Sequence, residues 1–232
     1  MEKPRILYIQ DAMCGWCYAF GGILDELRLK HEDFFDFIAV SGGMVVGEAI
    51  APISKLKDFL KDAIPKVEEH SGVKFGEKYL DLVEEGSYVN NSIKPAIALS
   101  AFKSMKPFSS VEFAHDIQFE HFYNGKNLNE REVYMELAAN YDIDANELLA
   151  RMNNDQFHTF AKDDFEFVKK LGITGFPCVI GETKKGLYML SQGYIREEDM
   201  DNILAAFRTT IEQGEPDPET SSTTEQSEEK NA

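Results

Sequence analysis

The chain has 232 residues, 43% hydrophobic and 28% charged, an ordinary balance for a soluble globular protein of one domain or of one domain with a large insertion. Its 41 acids against 24 bases leave a net charge of −17, which argues against a nucleic-acid or anionic-membrane partner because phosphate would be repelled. Three cysteines make a poor disulfide framework, and no apolar stretch approaches the roughly 20 residues that span a bilayer.

Met1-Glu2-Lys3-Pro4-Arg5 runs straight into a strand pattern and lacks the features of a secretory signal. Taken as a complete chain, the protein is expected to be cytoplasmic. There thiols are kept reduced, and two cysteines close together point to catalysis rather than to a structural bridge.

Ile6-Leu7-Tyr8-Ile9 reads as a short buried strand. Cys14-Gly15-Trp16-Cys17 follows it and opens a helical pattern, with Cys17, Phe20, Leu24 and Leu27 at three- and four-residue spacings on one face. Residues 34–40 read as a second strand, closed by Gly42-Gly43. Strand, helix and strand at this spacing predict a βαβ unit with a right-handed crossover.

From about Ala49 to Phe160 the strand signals disappear, and helices are predicted over 53–71, 76–85, 95–105, 111–123, 130–141 and 145–153. Pro95 suits a first helical position, where no amide partner is needed. Asn129 with Glu132 three residues on is expected to form a capping box. Phe157, Phe160, Ala161, Phe165 and Val168 make another helix face that ends at Gly172. After Gly175-Phe176-Pro177 come two strand patterns, 178–180 and 186–190. A last helix follows, with Met200, Ile203, Leu204, Phe207 and Ile211 on one side. The remainder is Ser/Thr/Glu-rich without apolar anchors and is expected to be disordered. From Gln213 on it holds six acids and one lysine, so about −12 of the charge belongs to the folded part. Strands at both ends with helices between them predict one α/β unit carrying a helical insertion.

Two cysteines one helical turn apart can close a disulfide with little backbone movement. At a helix N-terminus the sulfur of Cys14 meets unpaired amides and the positive end of the helix dipole, both of which favour the thiolate that attacks disulfides. Cys17, one turn deeper, is placed to resolve the mixed disulfide formed at Cys14. Gly15 and Trp16 lie between them, and Trp16 offers an apolar surface beside the nucleophile. No basic side chain stands between the thiols, so the potential is expected to be less oxidising than the about −120 mV of the strongest oxidants of this kind.

Asp11-x-x-Cys14-Gly15-Trp16-Cys17-Tyr18, the long helical insertion, Asn91-Ser92-Ile93-Lys94-Pro95-Ala96 and Gly172-Ile173-Thr174-Gly175-Phe176-Pro177 together resemble the DsbA family of the thioredoxin-like superfamily, in particular its FrnE-like cytosolic branch. The resemblance spans about residues 4–212. It implies a thioredoxin-like α/β fold, with residues 1–48 and 155–212 forming that domain, 49–154 an all-helical insertion between the second strand and the cis-proline strand, and 213–232 a disordered acidic tail. It also implies protein disulfide oxidoreductase or isomerase activity, with Cys14 as nucleophile, Cys17 as resolving thiol and a cis peptide bond before Pro177. Phe176 and Pro177 would then hold an extended substrate backbone, and Gly15 and Trp16 would border it. The expected substrates are protein or small-molecule disulfides and thiols, glutathione among them. No metal or organic cofactor is required. The absence of a histidine between the cysteines sets the chain apart from the periplasmic members.

Other readings stand beside this one. Zinc sites also use CxxC, but zinc needs four ligands, and only Cys178 and five scattered histidines remain. Asp11 reads as an accessory base or acceptor near the thiols, or as a solvated or capping acid. Cys178 reads as a small buried hydrophobe or as a third redox thiol. Phe113, Phe119, Phe122 and Tyr123 border a pocket or fill the core. Rival functions on the same fold are a glutathione-dependent isomerase or transferase, which typically keeps serine where Cys14 stands, and a non-catalytic adaptor that serves as a binding platform.

Overall fold

The structure, a computed structural model, describes residues 3–214. The acidic tail is therefore outside the described residues from position 215 onward. Four strands build the main sheet: β1 (Arg5–Gln10), β2 (Asp36–Ser41), β5 (Cys178–Thr183) and β6 (Gly186–Gln192), in the order β2-β1-β5-β6. β1 runs parallel to β2 and antiparallel to β5, and β5 pairs antiparallel with β6. From Ile6 to Gln10 every residue of β1 is buried, as its central place requires.

Alternation along β1 divides the core. Ile6 and Tyr8 face one side with Phe37, Ala39 and Val179, where α1 (Gly15–His31) lays down Phe20, Leu24 and Leu27. Leu7 and Ile9 face the other side with Val40, Cys178 and Ile180, covered by Val168 of α8 (Asp155–Lys170) and by Ile173. The last helix, α9 (Glu197–Glu212), returns to the α1 side with Met200, Leu204 and Phe207. The Phe207 ring stacks on Phe35 at 5.8 Å.

Between β2 and α8 the chain is mostly helical: α2 (Lys57–Ser71), α3 (Glu77–Glu85), α4 (Ile93–Lys103), α5 (Ser110–Phe122), α6 (Arg131–Asn140) and α7 (Ala145–Met152). A two-residue antiparallel pair, β3 (Ala51–Pro52) with β4 (Val89–Asn90), also lies here, too short to leave a periodic signal. Pro95 falls at the third residue of α4 rather than its first, still within the turn whose amides lack helical partners. The capping box expected at Asn129 is absent: Glu130 occupies the N-cap without a side-chain cap bond, and the Asn129 amide donates to the Val89 carbonyl instead.

A second cluster ties these helices to α1. Tyr18 and Ala19, the residues directly after Cys17, pack with Ile53, Val67, Phe75, Tyr79, Val83, Tyr88 and Phe122. The first turns of α1 therefore rest on the insertion as much as on the sheet.

Candidate active site

Cys14 is the N-cap of α1, with extended backbone angles (φ −97°, ψ 109°) that end the loop and start the helix. Its sulfur accepts the Cys17 amide at 3.3 Å, and its thiol points to the Phe176 carbonyl oxygen at 3.7 Å. The Phe176-Pro177 peptide bond is cis. Cys14 keeps a sliver of exposure (6%), whereas Cys17 has none. Both cysteines are free thiols. Burial pushes the Cys17 thiol well above the ordinary range, helped by its hydrogen bond and charge interaction with Cys14.

The two residues between the cysteines have separate surroundings. A Cβ at Gly15 would come within 3.2 Å of the Phe75 ring, so an insertion residue occupies the space a side chain would take there. The Trp16 ring sits half-buried between His70 of α2 (6.0 Å, edge-on) and Tyr194 of the β6–α9 loop (5.6 Å). His70 and Tyr194 carry no sequence signal, because they reach Trp16 only through the fold.

Asp11 is neither solvated nor a helix cap. It is 2% exposed and forms a polar knot at the end of β1. One carboxylate oxygen accepts the Met13 amide at 2.9 Å and the Ser92 hydroxyl at 2.7 Å; the other accepts the Met44 amide at 2.7 Å. Ser92 in turn accepts the Val45 amide at 3.0 Å. The loop before α1, the loop after β2 and the start of α4 are thus joined through one carboxyl. Burial raises its pKa, and the hydrogen bonds oppose that rise. Ser92 was legible only as part of a motif, not as the partner of Asp11.

Gly42-Gly43 ends β2 where two rings need room. A Cβ at Gly42 would run into the Phe176 ring, and one at Gly43 would meet Phe165 at 2.8 Å. Gly43 also has φ +70°, in the left-handed region.

Cys178 follows Pro177 directly, yet its side chain belongs to the face of the sheet opposite α1, among Leu7, Ile9, Val40 and Ile180. Its thiol donates to the Met189 sulfur at 3.2 Å, and burial raises its pKa to about 11. Phe113 and Phe122 are core residues, while Phe119 and Tyr123 are exposed and stack on each other at 4.9 Å. Among the described residues no group of three or more His, Cys, Asp or Glu side chains is arranged to hold a metal ion, and no helix is long and apolar enough to cross a membrane.

No family model matches the chain. A curated relative, described as the ClpXP adapter protein SpxH of Bacillus subtilis, is 19% identical over 182 residues, which are 77% of this chain. That alignment spans 58% of the relative's own length. Among solved structures, a protein proposed to be a disulfide isomerase in Nitrosomonas europaea superposes with a TM-score of 0.78 at 19% identity, covering 92% of this chain and all of the other. The cytosolic disulfide reductase DsbM of Pseudomonas aeruginosa superposes with a TM-score of 0.72 at 23% identity over 90% of this chain and 99% of its own. DsbM has also been solved with GSH, and that structure gives 0.73. Reduced DsbA1 of Neisseria meningitidis shares the arrangement at 0.58 and 14% identity. At these identities the likeness is one of architecture: the chain has the DsbA-type fold, a thioredoxin-like sheet carrying a helical insertion.

Proposed function

We propose that the protein is a thiol–disulfide oxidoreductase working through Cys14 and Cys17. The observation that carries this reading is the inequality of the two sulfurs. Cys14 stands at the helix N-terminus, just open to solvent and beside the Phe176 carbonyl, while Cys17 is fully enclosed one turn behind it.

In the reducing direction the Cys14 thiolate attacks one sulfur of a substrate disulfide. A Cys14–substrate bond forms, the substrate S–S bond breaks, and the departing sulfur takes a proton. Cys17 then attacks Cys14. The Cys14–Cys17 disulfide closes, the substrate's second sulfur leaves, and the proton lost by Cys17 goes to it. Run backwards, the same two steps oxidise a dithiol. Phe176 and Pro177 offer backbone to an extended substrate chain, and Trp16 flanks the attack site.

Substrates on this reading are protein disulfides and small ones such as glutathione, and the compartment is the cytosol. The similarity to a cytosolic reductase, solved once with GSH, supports both. The similarity to a protease adapter supports a second reading, in which the fold carries a client protein and needs neither thiol. Trapping separates them. A Cys17→Ser chain should accumulate mixed disulfides with disulfide substrates through Cys14, and a Cys14→Ser chain should accumulate none. If neither variant forms them, and the double variant keeps full function in cells, the adapter reading takes over.

A further inference from the structure

An open groove of about 680 Å³ lies at the end of the sheet away from Cys14, where β1 begins at Arg5 and β5 ends at Thr183. Pro4, Phe34 and Ile211 give it apolar surface. Bases outnumber acids four to two along it: Lys3, Arg5, Lys184 and Lys185 against Asp33 and Glu182. Both acids are matched by arginine, Glu182 by Arg5 and Asp33 by Arg208 at 3.0 Å. The Arg208 guanidinium also lies over the Phe34 ring at 4.6 Å. Lys3 stands 3.9 Å from Asp36, and Lys184 and Lys185 form the exposed turn between β5 and β6. In a chain of net charge −17, a local surplus of bases beside apolar surface fits an anionic occupant with an apolar side.

The chain itself supplies one. α9 ends at Glu212, and the described residues stop at Gly214, which lines this same groove. The Gly214 carbonyl accepts from the Lys185 ammonium at 3.5 Å. Next in sequence is Glu215-Pro216-Asp217-Pro218-Glu219, with three acids at alternate positions and a proline between each pair. Proline fixes its own φ and restricts the residue before it to extended backbone, so few conformations are open to such a sequence and little entropy is lost when it binds. In polyproline form the five residues reach about 12 Å. Attachment at the edge of the groove gives the segment an effective concentration on the order of millimolar there.

We propose that residues 215–219 dock in this groove as an internal anionic ligand, with Asp217 and Glu219 against Lys184 and Lys185 and the proline rings over Phe34 and Ile211. Surface ion pairs are individually weak and screened by salt, so the docking is salt-sensitive and draws on several of them at once. The groove and Cys14 stand at opposite ends of the sheet. Docking therefore leaves the thiols open and is independent of the oxidoreductase reading.

The test uses the full chain and a zero-length carbodiimide, which joins a carboxylate to an amine only where the two meet. Glu215 adjoins Gly214 and couples to Lys185 in any case, so Asp217 and Glu219 are the reporters. Peptide mass mapping should find both joined to Lys184 or Lys185 within one chain. The yield should fall about fivefold in about 1 M salt, where charges are screened beyond about 3 Å. A chain carrying Glu215→Gln, Asp217→Asn and Glu219→Gln should have Lys184 and Lys185 acetylated about five times faster than wild type, an effect within reach of three weak ion pairs. Coupling of the reporters spread evenly over exposed lysines of the insertion such as Lys55 and Lys61, or equal acetylation rates, overturns the proposal. So does coupling found only between isotopically distinct copies, which makes the occupant the tail of a second molecule.

Discussion

The sulfur of Cys14 lies 3.7 Å from the carbonyl oxygen of Phe176, a residue 162 positions later in the chain. The N-terminus of one helix and the cis-proline turn before β5 are thereby brought to a single point, with the whole insertion between them in sequence.

Thiol reactivity should follow that geometry. Iodoacetamide at pH 8 is expected to label Cys14 first, with Cys17 and Cys178 silent until the protein unfolds. Cys178 is enclosed, and with a pKa of about 11 only about a thousandth of it is thiolate at that pH. Peptide mass mapping after short labelling checks this; rapid labelling of Cys178 would show that it is not the enclosed strand residue described here.

Gly42 is expected to be intolerant of any side chain. Its alanine variant must push the Phe176 ring away and with it the carbonyl beside Cys14. The expected cost is about 1–3 kcal/mol of stability, the usual range for overpacking, together with a loss of disulfide exchange larger than that destabilisation accounts for. Gly175→Ala, whose added carbon would meet nothing within 4 Å, should keep its stability. Equal melting temperatures for wild type and Gly42→Ala would contradict the packing.

Replacing Asp11 with alanine removes the acceptor of two backbone amides and the Ser92 hydroxyl at once. A loss of about 3 kcal/mol is expected, since buried donors are left without partners. Asp11→Asn should lose less, keeping one oxygen for Met13 and Ser92 while its amide group faces the Met44 N–H. Urea unfolding of the three proteins orders them; an alanine variant as stable as wild type would refute the knot.

A pH effect should come from His121. Its ring is enclosed among Tyr79, Tyr88 and Phe122, and burial lowers its pKa from 6.5 to about 4. The unfolded chain therefore binds a proton that the folded one refuses, so this contribution is complete above pH 6.5 and is lost as the pH falls toward 4. The full effect is about 3 kcal/mol. Asp11 acts in the opposite sense, its raised pKa favouring the folded state at low pH. Comparison with His121→Phe isolates the histidine: the variant should lose less stability than wild type between pH 6.5 and 4. Parallel curves would contradict the assignment.

Much of this arrangement was legible in local patterns. The Ile6–Ile9 run, the stripe of Phe20, Leu24 and Leu27, and the cysteine pair between them are signals within a few residues of one another. Pro177 was legible as a turn, but its place beside Cys14 came only from the resemblance. What escaped are contacts between distant segments. Nothing around Ser92 announces Asp11, and nothing in Gly42 announces the Phe176 ring. Asn129 and Glu132 had the spacing of a capping box, but the asparagine amide is taken by Val89 across β4, so a tertiary bond won over the local one.

The central claim is that Cys14 and Cys17 form a working dithiol couple, and equilibration of the purified protein in glutathione buffers tests it most directly. The account predicts one two-electron transition, with the ratio of disulfide to dithiol changing tenfold for about 30 mV, at a potential more reducing than about −120 mV. If the two thiols form no disulfide anywhere between about −120 and −320 mV, the oxidoreductase account is wrong.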